Sequence, residues 1–316
     1  MRKKLKQGLQ DILLHFHRLF LHFRVAILPN HYYSPVPDIN ELRKRRSTWA
    51  RESLLAGIQV DLDVQCHNLI TICRPFENEF RGNHPYRAAV AEGWGQGFGY
   101  IEAQALHGVV RHFKPRRIVE VGAGVSTYCM LKAVQLTEKE TGNLCEITCI
   151  EPFPSPEVQQ AEVKLIPTAV QSVPEQLFQQ LGTGDLLFID SSHVVKTGSD
   201  VVFLILEVLP KLKPGVLIHF HDIFLPYDYR PEILDSFFDW QETSLLQAFL
   251  IGNSRIEILF CMSQLHHERP DSLRQAFPEY RPIQISDGLL TNESQKSLRD
   301  DTLGHFPASI FLRVQS

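Results

Sequence analysis

The sequence predicts a doubly wound α/β domain with a helical extension at its N-terminal side, and three observations carry that reading. From Tyr100 onward, short apolar runs rich in β-branched residues alternate with helical periods, the pattern of a parallel sheet covered on both faces. The stretch RIVEVGAGVSTYCMLK, Arg117 to Lys132, ends such a run in an acidic residue, turns through two glycines and opens a helix. Several of the runs then end in titratable residues, namely Glu120, Glu151, Asp190 and the pair His221-Asp222. In open α/β sheets that edge is where ligands sit.

A chain of 316 residues with 44% hydrophobic content can bury one large core with additions. The expected division is an N-terminal helical extension with a lid loop over residues 1–97 and the α/β domain over 98–316. A net charge of −4 and a pI near 6.4 leave no basic footprint for nucleic acid. The clusters Arg2 to Lys6 and Arg43 to Arg46 are short enough to be solvated helix faces. Six cysteines are scattered without the C-x-x-C pairing of zinc sites, as expected for reduced core residues of a cytoplasmic protein.

Taken in order, Leu9 to Leu28 is apolar in bulk but is interrupted by Asp11, His15, His17, Arg18, His22 and Arg24, which argues against a spanning helix. It has no small-residue cleavage site of a signal peptide either. An amphipathic helix packed on the body is the ordinary reading; a peripheral membrane contact, or a partner subunit in a homo-oligomer, are the alternatives. Pro29 ends this helix, and PNHYYSPVPD follows as an extended linker carrying His31, Tyr32 and Tyr33. Asp38 with Glu41 forms a capping box for a helix through about Leu55, and a further helix follows Asp61 or Asp63 to about Cys73. The glycine-rich stretch Arg81 to Gly99 reads as a long loop, either a lid or a plain connection.

The regular alternation begins with a helix from Tyr100 to Phe113. Strands are expected up to Val121, over Cys145 to Ile150, Val163 to Ile166, Asp185 to Asp190, Gly215 to His221, Arg255 to Cys261 and Ser309 to Val314. Helices are expected to about Thr141, over Pro174 to Leu181, Thr197 to Leu209 and Glu232 to Ile251. Gln264 to Gly304 is polar enough to be largely irregular.

The glycines Gly122 and Gly124 let the backbone turn tightly and approach a ligand, and Ser126 and Thr127 stand at the helix mouth, where free N–H groups favour polar or anionic ligand groups. The spacing E-x-G-x-G lacks the third glycine of the dinucleotide fingerprint. Glu151 stands where a ribose-binding carboxylate belongs. At the other strand ends, Asp190, His193, His221 and Asp222 combine oxygen and imidazole donors, suited to Mg²⁺ if the carboxylates dominate and to Mn²⁺, Fe²⁺ or Zn²⁺ if the imidazoles bind. His219 lies on the same strand face as His221, as a ligand or as a core histidine hydrogen-bonded to a neighbour. Tyr227 and Tyr229, which follow this strand, are candidate substrate walls or packing residues.

The glycine turn, together with GDLLFIDSSHVVKTGSD and KPGVLIHFHDIFLPYDY, resembles the class I S-adenosylmethionine (SAM) methyltransferases. Among these it is similar to the bacterial small-molecule O-methyltransferases related to the macrocin and mycinamicin enzymes. The resemblance implies a Rossmann-like seven-stranded methyltransferase sheet whose last strand is antiparallel, with SAM as cofactor near Glu120, Gly122, Gly124, Ser126, Glu151 and Gln171. It implies a small-molecule hydroxyl as acceptor in natural-product biosynthesis, a metal on Asp190 and Asp222, and His193 as general base beside Asp190. Where the family ends its next strand in two acidic residues this chain has His221-Asp222, so an imidazole joins the metal set. Two other functions fit the same residues: a SAM-fold binding protein without catalysis, and a histidine-ligated iron enzyme.

Overall fold

The computed structural model describes residues 2–95, 97–236, 238–291 and 304–316, with side chains from residue 11 onward. Two compact units emerge, Met1–Trp49 with Leu234–Asp239, and Ala50–Ile233 with Trp240–Ser316. Residues 50–97, read from the sequence as part of the extension, lie in the larger unit.

In the smaller unit, helix α1 spans Arg2–Leu21 and helix α2 spans Ile39–Lys44. Asp38 caps α2, accepting the N–H groups of Asn40 and Glu41 at 2.8 and 3.2 Å. The helix expected to reach Leu55 stops early: Arg45 leaves helical geometry, one more turn covers Arg46–Trp49, and Leu55 has a left-handed backbone.

The larger unit opens with α3, Leu62–Cys73, capped by Asp61, whose Oδ1 accepts the N–H groups of Asp63 and Val64. The stretch Arg81 to Gly99 is not one long loop. Its middle is helix α4, His84–Ala91, started by Pro85 in the first turn, where a missing N–H costs nothing. Helix α5 covers Tyr100–Phe113, strand β1 Arg117–Val121, helix α6 Val125–Thr141, β2 Glu146–Ile150, β3 Lys164–Ile166, β4 Leu186–Ile189 and β5 Leu217–His221. After β5 come helix α7, Glu242–Leu250, strand β6, Ile256–Cys261, helices α8, Met262–Glu268, and α9, Pro270–Ala276, and strand β7, Ser309–Val314. The region expected to be irregular from Gln264 is thus helical to Ala276, and its part over 292–303 lies outside the described residues.

The sheet has seven strands in the order β3-β2-β1-β4-β5-β7-β6. β1 to β5 are parallel, and β7 inserts antiparallel between β5 and β6. This is the doubly wound, Rossmann-like sheet with its last strand reversed that the resemblance implies. Each central strand buries both faces: Leu186 and Phe188 join the core under α5 and α6, whereas Leu187 and Ile189 join the opposite core with Ile218 and Phe220. Such two-sided burial is why these strands read as continuous apolar runs rather than alternating ones.

One buried ion-pair group ties α5 to the preceding turn, Glu77–Phe80. Glu79 accepts from His107 Nε2 at 2.7 Å and from Arg111 Nε and Nη2 at 2.8 and 2.9 Å. Burial works against its charge, but these bonds and the two basic neighbours hold its carboxyl down to about 2. A carboxyl depressed in the folded state adds stability above its ordinary value near 4.5, and that stability is lost as pH falls from there towards 2. Glu79→Gln is therefore expected to destabilise the protein by about 1 to 2 kcal/mol at pH 7, since it removes the carboxylate from buried His107 and from Arg111, which keeps Glu140 and Thr137, both at 3.0 Å. Urea unfolding should show the gap between variant and wild type closing between pH 4.5 and pH 2. A gap independent of pH would contradict this.

Candidate active site

The glycine turn after β1 is built from below. Glu120 is fully buried and accepts from Ser126 Oγ at 2.6 Å, Thr127 Oγ1 at 2.7 Å and the Cys149 thiol at 3.1 Å. Burial outweighs these bonds and pushes its carboxyl up to about 7. Glu120, Ser126 and Thr127 therefore spend their polar atoms on one another and hold the turn in shape. Gly122 is the residue that the turn cannot replace. Its φ is +87°, and a Cβ there would stand 2.2 Å from the carbonyl oxygen of Asp190. The close approach expected of this glycine is thus to the end of β4. Gly124 has extended backbone, and its N–H donates to Thr127 Oγ1 at 3.0 Å.

Above the turn lies a cleft of about 460 Å³ at the carboxyl ends of β1, β2 and β4. Gly122, Glu151, Gln171, Asp190 and Lys196 are among the residues that line it, while Glu120, Gly124 and Ser126 are not. The volume falls in the range of small-molecule sites. Glu151 accepts the Phe153 N–H at 2.7 Å, leaving its second carboxylate oxygen for a ligand, and Gln171 Nε2 donates to the Gly198 carbonyl at 2.8 Å. Ser172 closes the short turn Val170–Ser172 and is not among the lining residues.

Asp190 joins this cleft to a second cluster. His193 Nε2 lies 3.4 Å from both Asp190 Oδ1 and Asp222 Oδ2, and His221 Nδ1 lies 3.4 Å from the same two oxygens. The other nitrogen of His193, Nδ1, pairs with Glu242 Oε2 at 2.8 Å, and the Trp240 ring covers the imidazole at 4.5 Å. Behind His221, Glu102 lies 4.0 Å from Nε2, accepts the Ala308 N–H at 2.8 Å and bonds His305. His193 and Asp222 both have left-handed backbones, at φ +60° and +55°. For residues other than glycine such conformations cost on the order of 1 kcal/mol or more and collect at functional sites.

The electrostatics follow from carboxylates crowding two imidazoles away from water. Burial works against the charge of Asp190, yet the His221 and His193 rings hold it far below the usual carboxylate range. Burial lifts Asp222 and Glu242 above it. His193 and His221 are raised by these acids against the pull of burial, His221 to about 9.

The cluster fits a divalent cation. Donors bound to one ion at about 2.1 Å lie roughly 3.0 to 3.4 Å apart, and the His221 Nδ1 contacts to Asp190 and Asp222 have that spacing; the equal contacts of His193 Nε2 make it a ligand or a base beside the ion, not both. Ligand atoms of Asp190, His193 and Asp222 all lie within 4.8 Å of one another. His221 Nδ1 is buried with no hydrogen-bond partner, which is what an atom reserved for an ion would show. Two carboxylates beside imidazoles suit Mn²⁺, Fe²⁺ or Zn²⁺ at least as well as Mg²⁺.

Other expected site residues are placed elsewhere. His219 is a core residue, stacked on Phe188 at 4.3 Å and packed on Phe311 at 4.6 Å, with neither ring nitrogen hydrogen-bonded. Burial keeps it neutral, well below its usual range. The hydrogen bond expected for it is absent because aromatic rings occupy its surroundings. Tyr227 and Tyr229 are buried, their hydroxyls donating to Glu52 and to the Asp287 carbonyl, so packing accounts for both. Tyr32 and Tyr33 are 93% and 83% exposed.

Sequence reasoning missed Glu242 and Glu102. The helix expected over Glu232 to Ile251 is broken: a short turn covers Ile233–Asp235, and α7 begins only at Glu242. The His193 carbonyl accepts the N–H groups of Gln241 and Glu242 at 3.1 and 3.2 Å, so the turn after β4 docks on the start of α7. An acidic residue in the first turn of a helix was the available signal.

Residues 119–223 match a family model described as a methyltransferase domain. That span holds the glycine turn, the cleft-lining strand ends and the four residues around the cation position. The match covers about a third of the chain and bears on a methyltransferase domain within that span. An uncharacterized protein of Archaeoglobus fulgidus is 29% identical over 164 residues, covering 48% of this chain and 72% of that one. Among solved structures, the chain is similar to a Plasmodium falciparum protein assigned as a protein-L-isoaspartate O-methyltransferase, in complex with S-adenosyl-L-homocysteine. That likeness has 14% identity and a TM-score of 0.28, and it covers 58% of this chain and 81% of that one. No described helix is long and apolar enough to cross a membrane.

Proposed function

We propose that the protein is a SAM-dependent O-methyltransferase acting on a hydroxyl of a small molecule, with the larger unit, Ala50–Ile233 and Trp240–Ser316, as its catalytic domain. The observation that carries this reading is the double duty of Asp190. It lines the cleft above Gly122 and, on the same side chain, faces a histidine whose far nitrogen is held by a buried carboxylate.

In this reading the cleft takes the adenosyl part of SAM, with the free oxygen of Glu151 on the ribose and Gln171 beside the adenine. The sulfonium methyl then points towards Asp190 and His193. Glu242 accepts the Nδ1 proton of His193, and a divalent cation at Asp190 and Asp222 would offset the acids that raise this ring, so that Nε2 would carry a lone pair towards the acceptor. Nε2 takes the hydroxyl proton as the oxygen attacks the methyl carbon. The carbon–sulfur bond breaks, and the products are a methyl ether and S-adenosylhomocysteine. A divalent cation, which Asp190, His221 and Asp222 would hold, would polarise the acceptor hydroxyl as a Lewis acid. Holding both reactants in line supplies a further large share of the rate. The six free cysteines fit a reducing, cytoplasmic setting.

Transfer of labelled methyl from SAM to a panel of small polyols, sugars and phenols, before and after chelation and metal addition, tests this function. Product at a hydroxyl oxygen that depends on divalent metal is expected; methylation only of nitrogen or carbon would contradict it. Glu151→Ala is expected to weaken SAM binding by about 1 to 3 kcal/mol, the scale of lost charged hydrogen bonds, and calorimetry checks it. An unchanged affinity would mean that another group holds the ribose. The pair of imidazoles beside two carboxylates favours one second reading, a histidine-ligated iron enzyme. Stoichiometric iron in protein purified without added metal would favour it over methyl transfer.

A further inference from the structure

Helix α1 repeats apolar residues at helical spacing: Ile12, Leu13, Phe16, Leu19 and Phe20 form one stripe, continued by Phe23 beyond the helix end. All are exposed, from 36% at Phe20 to 71% at Phe23. A stripe of this kind left open to water is a binding face rather than a scatter of single apolar residues.

The charge around the stripe identifies what it fits. Residues 2–24 carry six lysines or arginines, namely Arg2, Lys3, Lys4, Lys6, Arg18 and Arg24, against the single acid Asp11. This segment is therefore at +5 within a chain at −4, whose other residues sum to −9. We propose that α1 lies flat on an anionic lipid bilayer, its apolar stripe among the acyl chains and its basic residues at the phosphate headgroups. A cationic amphipathic helix with phenylalanines on its apolar side has the composition of helices that rest in the membrane interface. Basic residues close to an anionic surface add attraction that depends on lipid charge and salt. The inference is independent of the chemistry proposed above, and would place the enzyme beside an apolar or membrane-held acceptor.

Co-sedimentation of the full chain with vesicles tests it. Binding to phosphatidylglycerol–phosphatidylcholine vesicles should be at least about tenfold stronger than to pure phosphatidylcholine, and should weaken as salt is raised. The double variant Phe16→Glu, Phe20→Glu should lose at least about tenfold of that binding with its unfolding midpoint unchanged, because both side chains are exposed. Equal or absent binding to the two vesicle types would overturn the proposal. So would a variant that binds vesicles as the wild type does but turns a dimer into a monomer in sedimentation, which would assign the stripe to a second copy.

Discussion

Replacing His193 by alanine is expected to lower methyl transfer by about 10²-fold to 10⁴-fold while SAM affinity stays nearly intact, the effect of removing a general base from a site that still binds. The reason lies in the two nitrogens. Nδ1 is engaged by Glu242 at 2.8 Å, so the ring is fixed with Nε2 towards Asp190 and Asp222. No other described imidazole does this, since His219 is enclosed by Phe188 and Phe311 and His221 faces the same carboxylates from the other nitrogen. Some stability should also be lost, because Glu242 is 1% exposed and would keep a buried carboxyl without its partner. Glu242→Gln separates the two effects. It preserves a hydrogen-bonding group of the same shape, so transfer should fall by only about tenfold while folding is kept. A passive SAM-binding protein would have neither response, and full turnover in a folded His193→Ala protein would end the base assignment.

The second large effect is expected at Gly122. A Cβ at this position meets the Asp190 carbonyl oxygen at 2.2 Å, and the residue's φ of +87° is strained for any other side chain. The backbone strain alone costs about 1 to 2 kcal/mol. The clash is with backbone rather than with the end of a flexible side chain, so β1 and β4 must separate at the point where Asp190 enters the cleft. Gly122→Ala is therefore expected to cost more than about 3 kcal/mol in unfolding and to abolish SAM binding. Gly142 supplies the comparison. It too has positive φ, +74°, but no atom lies within 4 Å of a Cβ there. Gly142→Ala should cost about 1 kcal/mol and leave SAM binding unchanged. Similar losses in the two variants would show that conformational strain alone, and not the approach to β4, governs this turn.

Much of the sheet was legible because two-sided burial writes strands as uninterrupted apolar runs. The span expected for the last strand, Ser309–Val314, is the span observed, and the strand ends at Glu120, Glu151, Asp190 and His221 fall at one edge as read. Helix α4 was hidden because glycines at 82, 93 and 95 frame it and composition outweighed its Ala-rich interior. Helices α8 and α9 were hidden by polar residues such as Gln264 and His266 that are in fact buried, where tertiary contacts override composition. The break before α7 depends on the His193 carbonyl arriving from another strand end. No local pattern contains that hydrogen bond. For the same reason the donor set was legible one residue at a time, while Glu242, 49 positions from His193, and Glu102, 203 positions from His305, were not. The roles read for Glu120 and Ser126 rested on proximity to the turn, and the structure turns both inward to each other.

The central claim, that the cleft above Gly122 holds SAM against Asp190, is tested most directly by calorimetric titration of the wild-type protein with S-adenosylhomocysteine. Saturable binding of one ligand per chain is expected, weakened in Glu151→Ala and lost in Gly122→Ala. A folded wild-type protein that shows no saturable binding of S-adenosylhomocysteine or SAM would contradict it.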